Sequence, residues 1–298
     1  QGLMNSCNPF FITIGQKLGK ENFFKYFEAF GFTEKSGIDL PAEASPVADV
    51  TYHSLEKMGI AELSSSSFGQ TFQVSPIQVV NAISTIANGG KLMQPYVVDS
   101  ILDSDGNVIA KTQSKVKRQV ISEKTASTVA DMMENVVSKG TGKNAYVAGY
   151  HVAGKTGTSE KIGKEGAYIA SFAGFAPANN PKIAILVAID EPTGAHGGGV
   201  VAAPIAGEIL EKVLAYLNIE PQYEDAEMKN VSSTTPSLVG LSVAQARSMT
   251  SGYTLKVVGS GDKVVSQTPA ADSQVRSGGV IVVYTDNQAQ KQTASVPN

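Results

Sequence analysis

A single cysteine in 298 residues leaves no intramolecular disulfide framework and no cysteine-cluster metal fold. The scarcity fits an oxidising compartment that discourages free thiols. Charge is also scarce: 17% of residues are charged, with 24 basic against 27 acidic and a net charge of -3. That balance leaves no basic footprint for nucleic acid or anionic lipid. No apolar run approaches the ~18 residues that span a bilayer; the longest, Ile183 to Ile189, is strand-sized. The opening Gln-Gly-Leu-Met-Asn is neither an initiator nor a signal peptide, so the true N-terminus is expected upstream. No repeat of fixed period occurs. What is present is a 42% hydrophobic composition, which excludes wholesale disorder and is enough for a large core.

Residues 1 to 222 read as mixed α and β. Asn8-Pro9 followed by Phe10, Phe11, Ile14 and Leu18 predicts a helix capped by Asn8 and stopped at Gly19. Further helices are expected over Asn22 to Phe30, Pro76 to Asn88, Ser122 to Lys139 and Pro204 to Leu217. Tyr150 to Thr158, Tyr168 to Ala176 and Lys182 to Ile189 read as strands of an antiparallel meander, giving an α+β class. Residues 223 to 235 read as a linker. Residues 236 to 286 read as a small module of one helix, with Ser242 and Gln245 as its capping box, on three strands: Tyr253 to Val258, Lys263 to Gln267 and Val280 to Thr285. Residues 287 to 298 read as a disordered tail. The aromatic cluster Phe23, Phe24, Tyr26, Phe27 and Phe30 reads as core plus surface, since no basic stripe accompanies it.

Two short elements could carry chemistry. In Lys155-Thr156-Gly157-Thr158, a lysine on a strand edge can hold a carboxylate or polarise a hydroxyl. Gly157 permits close approach of a substrate backbone, and the Thr158 N–H can face a developing oxyanion. The same four residues also fit a strand that ends in a polar turn. In Ser6-Cys7-Asn8, Ser6 could relay a proton and Asn8 could position an amide, or Asn8 could be a helix cap. Gly140-Thr141-Gly142-Lys143-Asn144 hints at a phosphate loop, but Asn144 stands where a Ser or Thr would meet magnesium. His53, His151 and His196 each read as ordinary polar residues. Cys7, Asp190 and His196 are zinc-ligand types whose spacing matches no known zinc pattern, and Cys7 is expected to face the core.

Taken together and in this order, Ser6-Cys7-Asn8 and Lys155-Thr156-Gly157 resemble the S-x-N and K-T-G motifs of the penicillin-recognising serine enzymes. Ser67-Phe68-Gly69-Gln70 with Ser75-Pro76-Ile77-Gln78 resembles a segment of class B penicillin-binding proteins. So do Gly140-Thr141-Gly142-Lys143 and Gly197-Gly198-Gly199 with Val201-Ala202-Ala203-Pro204. The likeness covers residues 1 to 217. Thr235-Pro236-Ser237-Leu238-Val239-Gly240 and Val257-Val258-Gly259-Ser260-Gly261 resemble a PASTA module.

The resemblance implies a serine β-lactamase-like transpeptidase domain, helices around an antiparallel sheet, followed by one PASTA module. It implies a D,D-transpeptidase that cross-links peptidoglycan stem peptides through a serine acyl-enzyme and is blocked by β-lactams. Ser6 would return the proton to the leaving D-Ala and Asn8 would hold the donor amide. Lys155 would supply positive potential, Thr156 and Thr158 would bind the substrate carboxylate, and Gly157 would give room for it. The family's S-x-x-K nucleophile motif precedes S-x-N, yet only five residues precede Ser6. Ser54 to Lys57, Ser114 to Lys117 and Ser260 to Lys263 all follow it and read as chance matches. The nucleophile and its lysine are therefore expected in an upstream segment or a second chain. No cofactor is required by such chemistry, with zinc at Cys7, Asp190 and His196 as a side possibility. The resemblance also implies an extracytoplasmic location, an upstream membrane anchor and a SEDS-type glycosyltransferase partner. A D,D-carboxypeptidase or β-lactamase, and a catalytically silent binding or sensor protein, are the alternatives.

Overall fold

The computed structural model describes residues 1–224, 227, 233–275 and 278–286. The chain forms two compact units: one comprises Gln1–Asn144 and Ala153–Pro204, the other Ala145–Val152 and the chain from Ile205 on. Part of the expected linker and all of the expected tail lie outside the described residues.

In the first unit, α1 (Asn8–Leu18) follows a run of turns. Its N-cap is Cys7 rather than the expected Asn8, and no side chain caps it. Ser6 holds a left-handed φ of 53°, which leaves Cys7 as the last extended residue and Asn8 as the first helical one. Pro9 is tolerated there because the first-turn N–H groups lack helical acceptors in any case. Gly19, at φ 79°, turns the chain directly into α2 (Lys20–Ala29), two residues earlier than the periodicity suggests. Phe27 is buried at the centre of the aromatic cluster, against Phe23, Phe24, Phe32, Tyr52 and Phe72.

The next helix, α3 (Ile60–Ser67), lies against α1 so closely that a Cβ on Gly15 would fall 1.8 Å from Ser67 Oγ. After it comes α4 (Pro76–Ala87), capped by Ser75 and Gln78. Four short strands follow: β1 (Lys91–Met93), β2 (Ser100–Leu102), β3 (Val108–Lys111) and β4 (Val116–Gln119). They form two antiparallel pairs, β1 with β4 and β2 with β3. The long helix α5 (Glu123–Lys139) starts at its Ser122 cap as expected.

The central sheet is the expected antiparallel meander, in the order β5 (Ala153–Glu160), β6 (Tyr168–Ala176), β7 (Ile183–Asp190). The first strand begins three residues later than predicted, since Gly149 and His151 take left-handed φ values of 77° and 44°. It also runs two residues past Thr158. Phe175 of β6 is fully buried with Ala130 and Met133 of α5, a burial of about 1.5–3 kcal/mol. Leu3 packs on the same cluster and so anchors the turn that carries Ser6. A short helix, α6 (Gly198–Val201), packs on β5 and β6.

In the second unit, α7 (Ala203–Tyr216) is followed by β8 (Ser233–Thr234), α8 (Val243–Met249), β9 (Thr254–Val258), β10 (Ser266–Thr268), β11 (Gln274–Val275) and β12 (Val280–Tyr284). Ser242 and Gln245 form the expected capping box of α8. The three-stranded sheet has β12 in the middle, antiparallel to β10 and parallel to β9. The extra antiparallel pair β8–β11 is not among the expected strands. Leu238, Ala246, Val264, Ile281 and Val283 make the core under α8. On the other face, Val280, Val282 and Tyr284 pack on Ala215 of α7, and the Tyr284 hydroxyl donates to Tyr216 O at 2.6 Å.

Candidate active site

Strand β5 is an edge of its sheet, and Lys155 is its third residue. The ammonium reaches across to the turn before α1, where Nζ donates to Ser6 Oγ at 2.9 Å. A second N–H goes to Thr156 O at 2.7 Å. An ammonium carries three donors, so among the described residues one is left for a ligand. Among the described residues no carboxylate offsets the charge, and burial alone pushes the Lys155 pKa down to about 8. A polarised hydroxyl beside a poised cation can pass a proton and can attract an anion.

Strand alternation puts Thr156 and Thr158 on one face of β5. Thr158 Oγ1 accepts from the Gly198 N–H at 3.0 Å, so its own proton can be donated. That bond depends on glycine: a Cβ at Gly198 would fall 2.2 Å from Gly157 O and 2.3 Å from Ser171 O. Thr156 Oγ1 donates to Thr141 Oγ1 at 3.1 Å. A Cβ on Gly157 would meet Ser171 Oγ at 2.5 Å. Thus hydrogen bonds join Ser6, Lys155 and Thr156, and Gly157 and Thr158 follow on the same strand. Asn8 sits at the first position of α1 with an exposed side chain that hydrogen-bonds to no described residue.

The zinc expectation is not met. Among the described residues, no group of three His, Cys, Asp or Glu side chains is placed to hold a metal ion. Cys7 is exposed, against the expectation that it faces the core, because the Ser6 turn lifts it to the helix start. Asp190 is taken by Lys161, whose Nζ lies 2.9 Å from Oδ1. Lys161 and Lys164 bracket Glu191 and hold it well below the usual carboxylate range. His196 stacks on Tyr168, with ring centroids 4.2 Å apart. The S-x-x-K strings also lie in local networks: Lys57 pairs with Asp49, Lys117 with Glu34, and the Ser260 N–H donates to Asp286.

Residues 140–144 do not form a phosphate loop. The Thr141 N–H donates to Met4 O at 3.1 Å, and Asn144 Nδ2 donates to Gly199 O at 2.7 Å. Sequence reasoning gave Thr141 no role. Its signal was the glycine on either side, since a Cβ at Gly140 would fall 2.4 Å from Met4 O.

A serine–lysine pair set between an antiparallel sheet edge and a helix start defines a class, and the comparisons agree. The chain belongs to the penicillin-binding protein transpeptidase family, whose domain model matches residues 1–211. A PASTA domain model matches residues 233–287. The chain is 41% identical to stage V sporulation protein D of Bacillus subtilis (strain 168), over 98% of this chain and 46% of that protein. It is 34% identical to the peptidoglycan D,D-transpeptidase FtsI of Escherichia coli (strain K12), over 65% of this chain and 32% of that one. The chain therefore spans less than half the length of these curated relatives. Among solved structures, penicillin binding protein 3 of Mycobacterium tuberculosis in complex with aztreonam matches with a TM-score of 0.68. The identity there is 26%, covering 75% of this chain and 52% of that one.

Proposed function

We propose that this chain is part of a peptidoglycan D,D-transpeptidase that cross-links stem peptides through a serine acyl-enzyme and is acylated by β-lactams. The observation that carries the reading is the Lys155–Ser6 hydrogen bond of 2.9 Å between motifs 149 residues apart in sequence. In this reading the attacking serine and its lysine come from an upstream segment or a second chain. The serine attacks the penultimate D-Ala carbonyl, its oxygen bonds to that carbon, and the C–N bond to the terminal D-Ala breaks. Ser6, polarised by Lys155, returns the proton to the leaving amine. Asn8, whose amide bonds to no described residue, holds the donor peptide. Thr158 and Thr156 bind the terminal carboxylate beside the Lys155 charge. An acceptor amine then takes the acyl group. This chemistry uses no cofactor.

The names of the relatives support a role in peptidoglycan cross-linking. To this we add, as proposals, the outer face of a bacterial membrane, an upstream anchor and a SEDS-type glycosyltransferase partner. No helix among the described residues is long and apolar enough to cross a membrane. The test is covalent labelling of the full-length protein by fluorescent penicillin, followed by a stem-peptide assay with and without an acceptor amine. The reading expects one label per chain and transfer to the amine in preference to hydrolysis. Absence of label would point to a catalytically silent binding protein, and hydrolysis without transfer to a carboxypeptidase.

A further inference from the structure

A carboxylate can only accept hydrogen bonds, so a threonine that binds one must offer its proton. Thr158 meets that need, because its oxygen already accepts from the Gly198 N–H. Thr156 does not, because its proton is given to Thr141 Oγ1 at 3.1 Å. Thr141 in turn makes two bonds to one acceptor: its N–H donates to Met4 O at 3.1 Å and its hydroxyl, more loosely, at 3.4 Å. The long hydroxyl bond is the weakest link of this chain. If it is released, Met4 O keeps the Thr141 N–H as its partner. After a small rotation of the Thr141 side chain the freed hydroxyl can donate to Thr156 Oγ1, whose own proton then faces the cleft.

We propose that Thr141 is a positioning residue: its hydroxyl reverses from acceptor to donor and so turns Thr156 into a donor for the substrate carboxylate. The inference rests on the reading that this site is acylated and that Thr156 meets a carboxylate. Met4 O keeps the Thr141 N–H as a donor in both arrangements, and the two hydroxyls lie open to solvent. The backbone amide of Thr141 fixes the turn that carries Ser6, and the side chain tunes Thr156. One residue thereby serves both motifs, and a substitution can separate the two duties. Gly199 closes the third side, since a Cβ there would fall 2.5 Å from Thr141 O.

The test compares Thr141→Val and Thr141→Ser with wild type in the full-length protein. Valine keeps the shape and the amide bond to Met4 O but removes the hydroxyl. The probes are benzylpenicillin and its methyl ester, which lacks the carboxylate. Each is followed to separate the non-covalent binding constant from the acylation rate. For benzylpenicillin, Thr141→Val should weaken binding about tenfold, the scale of one hydrogen bond to a charged group, and should leave the acylation step little changed. The ester should react alike with wild type and variant, and Thr141→Ser should restore benzylpenicillin binding. The acid-to-ester ratio is read within one sample, so partial unfolding of a variant cancels. An unchanged ratio in Thr141→Val, whether both probes slow together or neither does, would overturn the inference. If wild type reacts with neither probe, the acylation reading falls and takes this one with it.

Discussion

Lys155 and Ser6 meet through a hydrogen bond of 2.9 Å although 149 residues separate them, and among the described residues the lysine has no carboxylate partner to neutralise it. A half-buried cation with no described counter-charge is costly and is kept where the charge is used. Lys155→Ala should lower the second-order rate of penicillin acylation in the full-length protein by at least about 100-fold, the scale of losing a positioned electrostatic group. Stopped-flow labelling measures it. A rate within threefold of wild type would remove Lys155 from the mechanism.

Gly198 and Gly197 make a controlled pair. A methyl group at Gly198 would strike two backbone oxygens, whereas one at Gly197 meets only Val200 Cγ2 at 3.7 Å. Backbone cannot yield as a side-chain end can. Gly198→Ala should therefore destabilise by about 1–3 kcal/mol, an overpacking penalty. It should also slow acylation, since it moves the N–H that fixes Thr158. Gly197→Ala should be close to neutral in both respects. Thermal unfolding and labelling rates compare the two; equal behaviour would mean that α6 does not dock as described.

The local parts of this site were legible in the sequence, and its assembly was not. Strand β6 falls on its predicted bounds, and the caps at Ser122 and Ser242 follow from residue chemistry alone. The serine-rich Ile60–Ser67 gave no helical signal. It is helical because Leu63 and Ser66 are buried and Ser67 fills the space that Gly15 leaves open, a tertiary effect that overrides propensity. Cys7 was misassigned to the core because its exposure follows from the backbone of Ser6, whose left-handed φ no pattern announces. The roles of Ser6 and Lys155 came from a resemblance between motifs, and only coordinates supply the distance between them. Thr141 was visible only as part of a glycine-flanked loop, since its partners, Met4 and Thr156, are remote in sequence.

Tyr284 tests the join between α7 and the small sheet inside the second unit. Its ring is fully buried, and its hydroxyl caps the carbonyl of Tyr216, the last residue of α7. Tyr284→Phe keeps the ring and removes the hydroxyl. Stability should fall by about 1–3 kcal/mol, the cost of leaving the Tyr216 carbonyl and the neighbouring Asn218 and Thr268 side chains without the hydroxyl. Denaturant unfolding measures that loss. Penicillin labelling should not change, because the candidate site lies in the other unit. A slower label with unchanged stability would reverse the reading of this contact.

The pH dependence of Lys155 separates its charge from its bulk. Burial pushes its pKa down from 10.5 to about 8, so the cation is lost as pH rises through about 8. Acylation by a carboxylate-bearing penicillin should then decline above about pH 8, with the slope of a single proton. Stability should drift the other way. Between pH 8 and 10.5 the unfolded chain holds a proton that the folded chain has released, so this group makes folding more favourable as pH rises across that window. Falling activity alongside Lys155-linked stabilisation distinguishes loss of the cation from alkaline unfolding. Lys155→Arg, which keeps its charge throughout, should flatten the alkaline limb even if its rate is lower. Acylation by wild type that stays level to pH 10 would mean that the ammonium charge does not attract the substrate.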